Sequence, residues 1–261
     1  MTIPFRSPRR ASIRPSPVFL AVLAVAALGG YLAWSATGDT RGARLGVFLF
    51  VVAGWVVTLC FHEFAHAFLA WRFGDEEVEA RGYLTLNPLK YSHPVLSILL
   101  PVVFIALGGI GLPGGAVYLH PHRFRTRAQR ALVSLSGPAV NVVFAIVLLA
   151  VVKQQYATSS HSAFWAAMAF LGLLQISAAL LNLIPFPGLD GYGAIEPYLD
   201  PAFQRQAEQF KPFGMLGLFA LLQVQTINRV FFDVVYRLYD LSGVNRLYAG
   251  AGYELIKFWQ R

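Results

Sequence analysis

One stretch of sequence decides the fold: residues 45–71 read LGVFLFVVAGWVVTLCFHEFAHAFLAW. Its first seventeen residues carry no charge, and together with the residues that follow they can form a helix that crosses a bilayer. His62 and His66 then project from one face of that helix about one turn apart, the spacing that binds a single zinc ion. Glu63 would reach the water position at that ion. Ionisable groups at membrane depth are costly and are rarely kept without a function.

The composition excludes an ordinary soluble domain. Of the 261 residues, 56% are hydrophobic and 13% are charged, and the mean hydropathy is +0.55, which is typical of a polytopic membrane protein. A net charge of +8 could indicate a protein that binds nucleic acid, but the arginines cluster beside apolar spans. The charge therefore indicates orientation in a membrane, and no nucleic-acid partner is expected. The single cysteine, Cys60, excludes an internal disulfide.

We expect an all-α polytopic membrane protein built as a helix bundle. The first helix, 17–34, follows a basic segment, as the apolar part of a cleaved signal peptide would. It is about long enough to span a bilayer, so an uncleaved transmembrane helix is favoured. The end of the chain fits either a last crossing or an interfacial amphipathic helix. The predicted parts are a basic cytoplasmic tail at 1–16, the first transmembrane helix at 17–34, a membrane core at 45–198 with helices at 45–73, 131–152 and 163–184, and a membrane-associated C-terminal region at 199–261.

Two irregular segments interrupt the helices of the core. Residues 82–88 alternate in polarity and are rich in β-formers, which predicts a short membrane-associated β-hairpin with 78–80, with a plain interfacial loop as the alternative. Residues 94–115 are apolar but contain many prolines and glycines, and four arginines follow at 123–130. A full crossing would place those arginines outside, so the positive-inside rule predicts a re-entrant segment.

Asp190 is the predicted third ligand. With a cytoplasmic N-terminus and a re-entrant segment, Asp190 falls on the same side of the membrane as His62 and His66. Catalytic zinc has three protein ligands and one open position, and the Pro-x-Pro-Gly break before Asp190 lets its carboxylate point into the bundle. The alternative is a turn aspartate before Gly191, a frequent pairing, which is less favoured beside the two histidines.

Hydrolysis at such a centre also requires a donor for the developing oxyanion. Asn141 is the candidate donor, and the alternative is that it forms a helix–helix hydrogen bond. Asn182 is a candidate substrate contact with the same alternative. The predicted strand would present an unpaired edge to an extended substrate. Its substrate-binding residues would be Tyr83, Leu84, Thr85 and Asn87.

The residues from about 51 to 191 resemble the site-2 protease family of intramembrane zinc metalloproteases, in its compact bacterial branch. The resemblance implies Zn²⁺ as the cofactor, His62, His66 and Asp190 as its ligands, Glu63 as the catalytic base, and Asn141 near the substrate. The motifs that carry it are His62-Glu63-Phe64-Ala65-His66, Thr85-Leu86-Asn87-Pro88, Gly137-x-x-x-Asn141, Asn182-x-x-Pro185 and Asp190-Gly191.

The resemblance also implies a biological setting. Substrates would be membrane proteins with a transmembrane segment, cleaved in or near that segment, and the chain would contact the lipid bilayer. The expected location is the plasma membrane of a bacterium, with the N-terminus and the active-site end in the cytoplasm. Two positions depart from the family pattern: His93 stands where an acidic residue often precedes the proline, and Tyr192 replaces a second glycine.

Two functions from other classes remain as alternatives. A catalytically silent membrane scaffold or chaperone could retain the motif as a structural zinc site, and it would bind zinc without cleaving peptides. A zinc transporter would require polar residues along a whole path through the membrane. The candidate residues cluster near one face instead, which disfavours transport.

Overall fold

The computed structural model describes residues 13–90, 124–155 and 161–259. Within these ranges all regular structure is helical. The α-helices are α1 (Pro17–Ser35), α2 (Arg41–Arg72), α3 (Glu77–Ala80), α4 (Arg127–Gln155), α5 (Ser162–Leu183), α6 (Asp190–Ile195), α7 (Pro201–Glu208), α8 (Gly214–Gln223), α9 (Gln225–Asp240) and α10 (Arg246–Ile256), and single 3₁₀ turns lie at Tyr83–Thr85, Pro88–Lys90, Glu196–Tyr198 and Lys211–Phe213.

Polar caps define where the long helices begin. Ser16 Oγ accepts a hydrogen bond from the Phe19 amide at the start of α1, and Thr40 caps α2 in the same way. At α4, Thr126 and Gln129 form a reciprocal capping box, in which each side chain accepts from backbone amides at the other end of the turn. These caps satisfy the amides that an apolar helix leaves without partners at its N-terminus.

Four helices are long and apolar enough to cross a bilayer: α1, α2, α4 and α5. They match the predicted helices at 17–34, 45–73, 131–152 and 163–184, and the largest differences are that α2 begins at Arg41 and α4 at Arg127, each four residues before the predicted start. The prediction of an all-helical, multi-pass membrane protein is therefore confirmed. The division of the chain into four parts stays a prediction.

Helix α5 lies at the centre of the bundle. In the most apolar window of each helix, 83% of the α5 residues are buried, against 28% in α1 and 33% in α4. The outward faces of α1 and α4 are nonetheless apolar, with exposed side chains such as Leu28 and Ile146. An apolar outer surface of this kind suits contact with lipid chains rather than water.

Helices α1 and α2 pack through small residues. A Cβ atom added at Gly46 would lie 2.5 Å from the Ala33 amide nitrogen, and one added at Gly29 would lie 2.4 Å from the Phe50 amide nitrogen. Both contacts are with backbone atoms, which cannot rotate away. Glycine at these positions therefore lets the two helix backbones approach closely, as small residues do in membrane helix pairs.

Replacement of Gly46 by alanine tests this packing. We expect Gly46→Ala to destabilise the protein by about 1–3 kcal/mol through overpacking, which lowers the melting temperature in detergent by about 2–12 °C. Gly42→Ala is the matched control, because the nearest atom to its new methyl group lies 3.8 Å away. Equal melting temperatures for the two variants would contradict the close α1–α2 contact.

The predicted β-hairpin is wrong. Residues 77–80 form helix α3 and Tyr83–Thr85 forms a 3₁₀ turn. Glutamate and alanine favour a helix, and the acidic side chains lie in its first turn, where the helix dipole stabilises them. Gly82, with φ +78°, then reverses the chain. Tyr83 and Leu84 are both buried against α2, so successive side chains do not alternate between two faces as they would in a strand.

The predicted re-entrant segment at 94–115 lies outside the described residues. At the other end of the chain, α8 and α9 meet at Val224 with a bend of 96°. Val235 and Tyr239 on α9 pack into the core beside α5, whereas Arg229, Asp233 and Arg237 are exposed. The C-terminal region therefore contains a sharply bent helix pair, and α9 has one buried apolar face and one exposed charged face; a last crossing and an interfacial amphipathic helix both stay predictions.

Candidate metal centre

Helix α2 places the two predicted histidine ligands side by side. The Nε2 atoms of His62 and His66 are 3.1 Å apart, and both side chains are buried, at 5% and 6% exposure. This convergence follows from the helix itself, because residues four apart lie on one face.

Asp190, the first residue of α6, completes the group. Its Oδ2 atom is 3.2 Å from His62 Nε2, and its Oδ1 atom is 3.4 Å from His66 Nε2. The three ligand atoms lie within 4.8 Å of one another. The structure therefore brings together all three residues that the sequence predicts as metal ligands.

Two glycines shape the loop that carries Asp190. Gly188 has φ +95°, and a Cβ there would lie 2.5 Å from the Lys211 carbonyl oxygen. A Cβ at Gly191 would lie 2.2 Å from the Leu183 carbonyl oxygen. The chain thus folds back tightly on the end of α5, and this turn directs Asp190 toward the histidines.

Lys211 supports the same loop from outside. Its Nζ atom lies 2.7 Å from a carboxylate oxygen of Glu196 and 2.7 Å from one of Glu208. Partial burial lowers the pKa of Lys211, but hydrogen bonds and charge attraction from the two glutamates outweigh burial and raise that pKa above its usual value. Lys211 therefore stays charged and connects the residues after α6 to the segment that packs on Gly188.

The three residues fit a zinc ion. Two imidazole nitrogens and one carboxylate, with a further position open, form a donor set found in catalytic zinc sites. Asp190 Oδ2 is buried and accepts no well-aligned hydrogen bond from the described residues, although it lies close to His62. A Cβ added at Gly137 of α4 would lie 2.2 Å from His66 Nε2 and 2.5 Å from His62 Nε2. Glycine at 137 therefore leaves room for an ion.

Partners on α4 orient both imidazole rings. His66 Nδ1 donates to the Val133 carbonyl oxygen over 2.7 Å, and His62 Nδ1 pairs with Asn141 Oδ1 over 2.6 Å. A backbone carbonyl can only accept, so the hydrogen of His66 is on Nδ1 and its Nε2 lone pair faces Asp190. Such outer hydrogen bonds fix the tautomer and direction of metal-binding histidines.

Glu63, the predicted base, lies directly after His62 on α2 and is 1% exposed. Asn141 has both ends of its side chain engaged, since Nδ2 donates to Gln175 Oε1 over 2.7 Å. A carboxamide has two N–H groups, and this hydrogen bond uses one of them. A role of the other in binding an oxyanion stays a prediction. Asn182 lines a cavity of about 10 Å³ together with His62 and Asn141, and its substrate role also stays a prediction.

The four residues of the predicted strand occupy a compact turn beside α2. Tyr83 and Leu84 are buried. Thr85 donates through its hydroxyl to the Gly82 carbonyl over 2.6 Å, and Asn87 Oδ1 accepts from the Leu89 amide. These contacts stabilise the turn, and the substrate-binding role of the four residues stays a prediction.

Three residues of the centre have no predicted role: Gly137, Thr58 and Gln175. Gly137 lies in one of the motifs, but the motif does not indicate that this position faces the metal ligands. The sequence does indicate that Thr58 and Gln175 need partners. Both are uncharged polar residues inside apolar helices, where such residues commonly form hydrogen bonds between helices.

Replacement of Gly137 by alanine tests the position of the ion. The new methyl group would lie where an ion bonded to both Nε2 atoms must lie, given zinc–nitrogen distances of about 2.0–2.1 Å. We expect Gly137→Ala to lose bound zinc while it keeps its helical circular dichroism. The matched control is Gly250→Ala, since no atom lies within 4 Å of its new methyl group. Full zinc occupancy in Gly137→Ala, measured by elemental analysis, would place the ion elsewhere.

The fold and the site define a class. A bundle of apolar helices encloses two histidines and an aspartate that could hold one metal ion, and a buried glutamate follows the first histidine. This is the arrangement of a zinc metalloprotease centre inside a multi-pass membrane protein.

Comparison with known proteins identifies the family. Its relatives include proteins named "Putative zinc metalloprotease". Rip2 of Mycolicibacterium smegmatis is 54% identical over 253 residues, 97% of each chain. Rip2 of Mycobacterium tuberculosis is 54% identical over 96% of each chain. YwhC of Bacillus subtilis is 30% identical over 183 residues, 68% of this chain and 81% of its own. The chain belongs to this zinc metalloprotease family, in agreement with the resemblance to site-2 proteases. Neither a protein-family model nor a solved structure matches it.

Proposed function

We propose that the chain is an intramembrane zinc protease of the site-2 type, which hydrolyses peptide bonds in or near the transmembrane segments of membrane proteins. The observation that carries the proposal is the location of the centre. His62, Glu63 and His66 are all buried within α2, one of the four helices long and apolar enough to cross a bilayer. Ionisable groups are expensive at such a position unless they serve a function there.

Each residue of the centre has a chemical role in this proposal. His62, His66 and Asp190 would hold zinc, which when bound supplies Lewis-acid chemistry for the hydrolysis. Glu63 would accept a proton from the attacking water at a carboxylate oxygen and return it to the leaving amine nitrogen, as the carbon–nitrogen bond breaks and a carbon–oxygen bond forms. Burial of Glu63 keeps bulk water from competing for that proton.

The location of the centre supports a topology. His62 lies about 25 Å along α2 from Leu45, at about 1.5 Å per residue, so the metal ligands are near one end of the bundle. The Ser16 amide, just before α1, donates to the carbonyl of Thr85, in the 3₁₀ turn that packs against α2, over 2.8 Å. This contact supports a topology in which the N-terminal end of α1 lies on the same side as the metal centre. Because the preceding tail is basic, we propose that this side is cytoplasmic.

Substrates in this proposal are membrane proteins with a transmembrane segment. Peptide bonds inside a helix are shielded by its own hydrogen bonds, so a substrate must become extended near the centre before attack. The apolar outer faces of α1 and α4 would contact the lipid bilayer. The proposed location is the plasma membrane of a bacterium, in keeping with the bacterial sources of the relatives.

Replacement of Glu63 by glutamine tests the reaction. Loss of a general base costs about 10²–10⁴-fold in rate, so we expect Glu63→Gln to lower kcat by that factor while it retains zinc. The measurement is cleavage of a panel of single-span membrane substrates by purified protein in detergent, with bound zinc determined in parallel. Asp190→Asn is the contrasting variant and should lose both zinc and activity.

The same assay separates the alternatives. Cleavage by Glu63→Gln at the wild-type rate would remove Glu63 from the mechanism. Zinc binding without cleavage by the wild type would favour a scaffold or chaperone with a structural zinc site. A transporter would instead move zinc across vesicles that contain the protein, and Glu63→Gln would then alter transport rather than peptide cleavage.

A further inference from the structure

We infer that Thr58 and Gln175 are positioning residues that hold His62 in its metal-binding tautomer, acting through Asn141. The inference rests on the proposed zinc centre. The three side chains form a hydrogen-bond relay, which we define as Thr58, Gln175 and Asn141. It runs from α2 through α5 to α4 and ends on His62 Nδ1.

The relay consists of short, consecutive hydrogen bonds. Thr58 Oγ1 donates to the Trp55 carbonyl over 2.8 Å. Gln175 Nε2 donates to Thr58 Oγ1 over 2.9 Å, and Asn141 Nδ2 donates to Gln175 Oε1 over 2.7 Å. Asn141 Oδ1 then lies 2.6 Å from His62 Nδ1.

One end of the relay fixes the direction of every bond. The Trp55 carbonyl can only accept, so the Thr58 hydroxyl hydrogen must point at it. Thr58 Oγ1 then presents lone pairs to Gln175, which must offer its NH₂ group and turn its oxygen toward Asn141. By the same logic Asn141 offers its NH₂ group to Gln175 and its oxygen to His62. His62 must therefore carry its hydrogen on Nδ1, which leaves the Nε2 lone pair for a metal.

The relay is buried among three of the helices that are long and apolar enough to cross a bilayer. Gln175 is 0% exposed, Thr58 is 3% exposed and Asn141 is 4% exposed. A buried amide without partners costs free energy, and an apolar residue at Gln175 would fill the same space without that requirement. Helix–helix adhesion alone would be served by either orientation of the amides. The orientation that Thr58 sets turns the Asn141 oxygen toward His62 Nδ1, as a positioning role requires.

Replacement of Thr58 by valine would remove the hydroxyl that sets the direction of the hydrogen bonds, but would keep a side chain of similar size. In Thr58→Val, Gln175 Nε2 loses its acceptor, so Gln175 and Asn141 can both rotate their amides by half a turn. Asn141 Nδ2 would then face His62 Nδ1, and this geometry favours the tautomer with the hydrogen on Nε2. That tautomer cannot donate a lone pair from Nε2 to a metal.

The test compares zinc affinity among matched variants, measured by competition with a chelator of known affinity. We expect Thr58→Val and Gln175→Leu to weaken zinc binding about 10–100-fold, the usual effect of removing an outer partner of a metal ligand. Thr58→Ser keeps the hydroxyl and should bind zinc like the wild type. Ser177→Ala is the control: Ser177 is also a buried hydroxyl, on α5, but it donates to the Leu173 carbonyl of its own helix.

A second readout reports the tautomer directly. Imidazole ¹⁵N chemical shifts of His62 in the metal-free protein distinguish a hydrogen on Nδ1 from one on Nε2. We expect the Nδ1–H form in wild type and Thr58→Ser, and a shift toward the Nε2–H form in Thr58→Val. A purely structural role for the relay would lower stability without moving this equilibrium.

The outcomes separate this inference from the proposed function. If Thr58→Val and Gln175→Leu bind zinc as tightly as the wild type with unchanged ¹⁵N shifts, the inference is wrong. It is also wrong if Ser177→Ala weakens zinc binding equally, because the effect is then general loosening. If the wild type binds zinc but cleaves nothing, the protease proposal fails while the relay can stand. If the wild type binds no zinc, the proposed centre fails and this inference fails with it.

Discussion

The structure depends on one constraint: polar and ionisable groups at membrane depth must find their partners within the protein. The two histidines of α2 satisfy it if each Nδ1–H has a fixed acceptor and the two Nε2 lone pairs bind one metal ion together with a third ligand. Val133 and Asn141 provide the acceptors from α4, and Asp190 would be the third ligand. The packing of α4 against α2 is therefore tied to the chemistry of the site.

Close approach of α4 explains why glycine is needed where it occurs. Gly137 faces the two Nε2 atoms, and any side chain there would fill the metal position. On the other side of the centre, a Cβ at Gly193 would lie 2.6 Å from Ser134 Oγ, so α6 also packs tightly on α4. Tyr192, which follows Asp190-Gly191, is buried, and Gly193, one residue later, makes the close contact with α4.

The sequence was sufficient for features that depend on local spacing. The spacing of His62 and His66 and the apolar lengths of the four long helices are set within one element, and the break before Asp190 signalled a change of direction. The predicted β-hairpin is wrong because Gly82, with φ +78°, reverses the chain and the helix-forming residues before it form α3. Thr58, Asn141 and Gln175 were not connected because residues 34 and 117 positions apart meet only through the tertiary packing of three helices.

Helix α5 couples the two halves of the metal centre. It carries Gln175, which reaches His62 through Asn141, and at Leu183 it leads into the tight loop that presents Asp190. A shift of α5 relative to α2 would therefore disturb the orientation of a histidine and the position of the carboxylate together. The central position of α5, buried along most of its length, restrains such a shift because its neighbours pack on every side. The helix that fills the core of the bundle thus keeps the three ligands in fixed positions relative to one another.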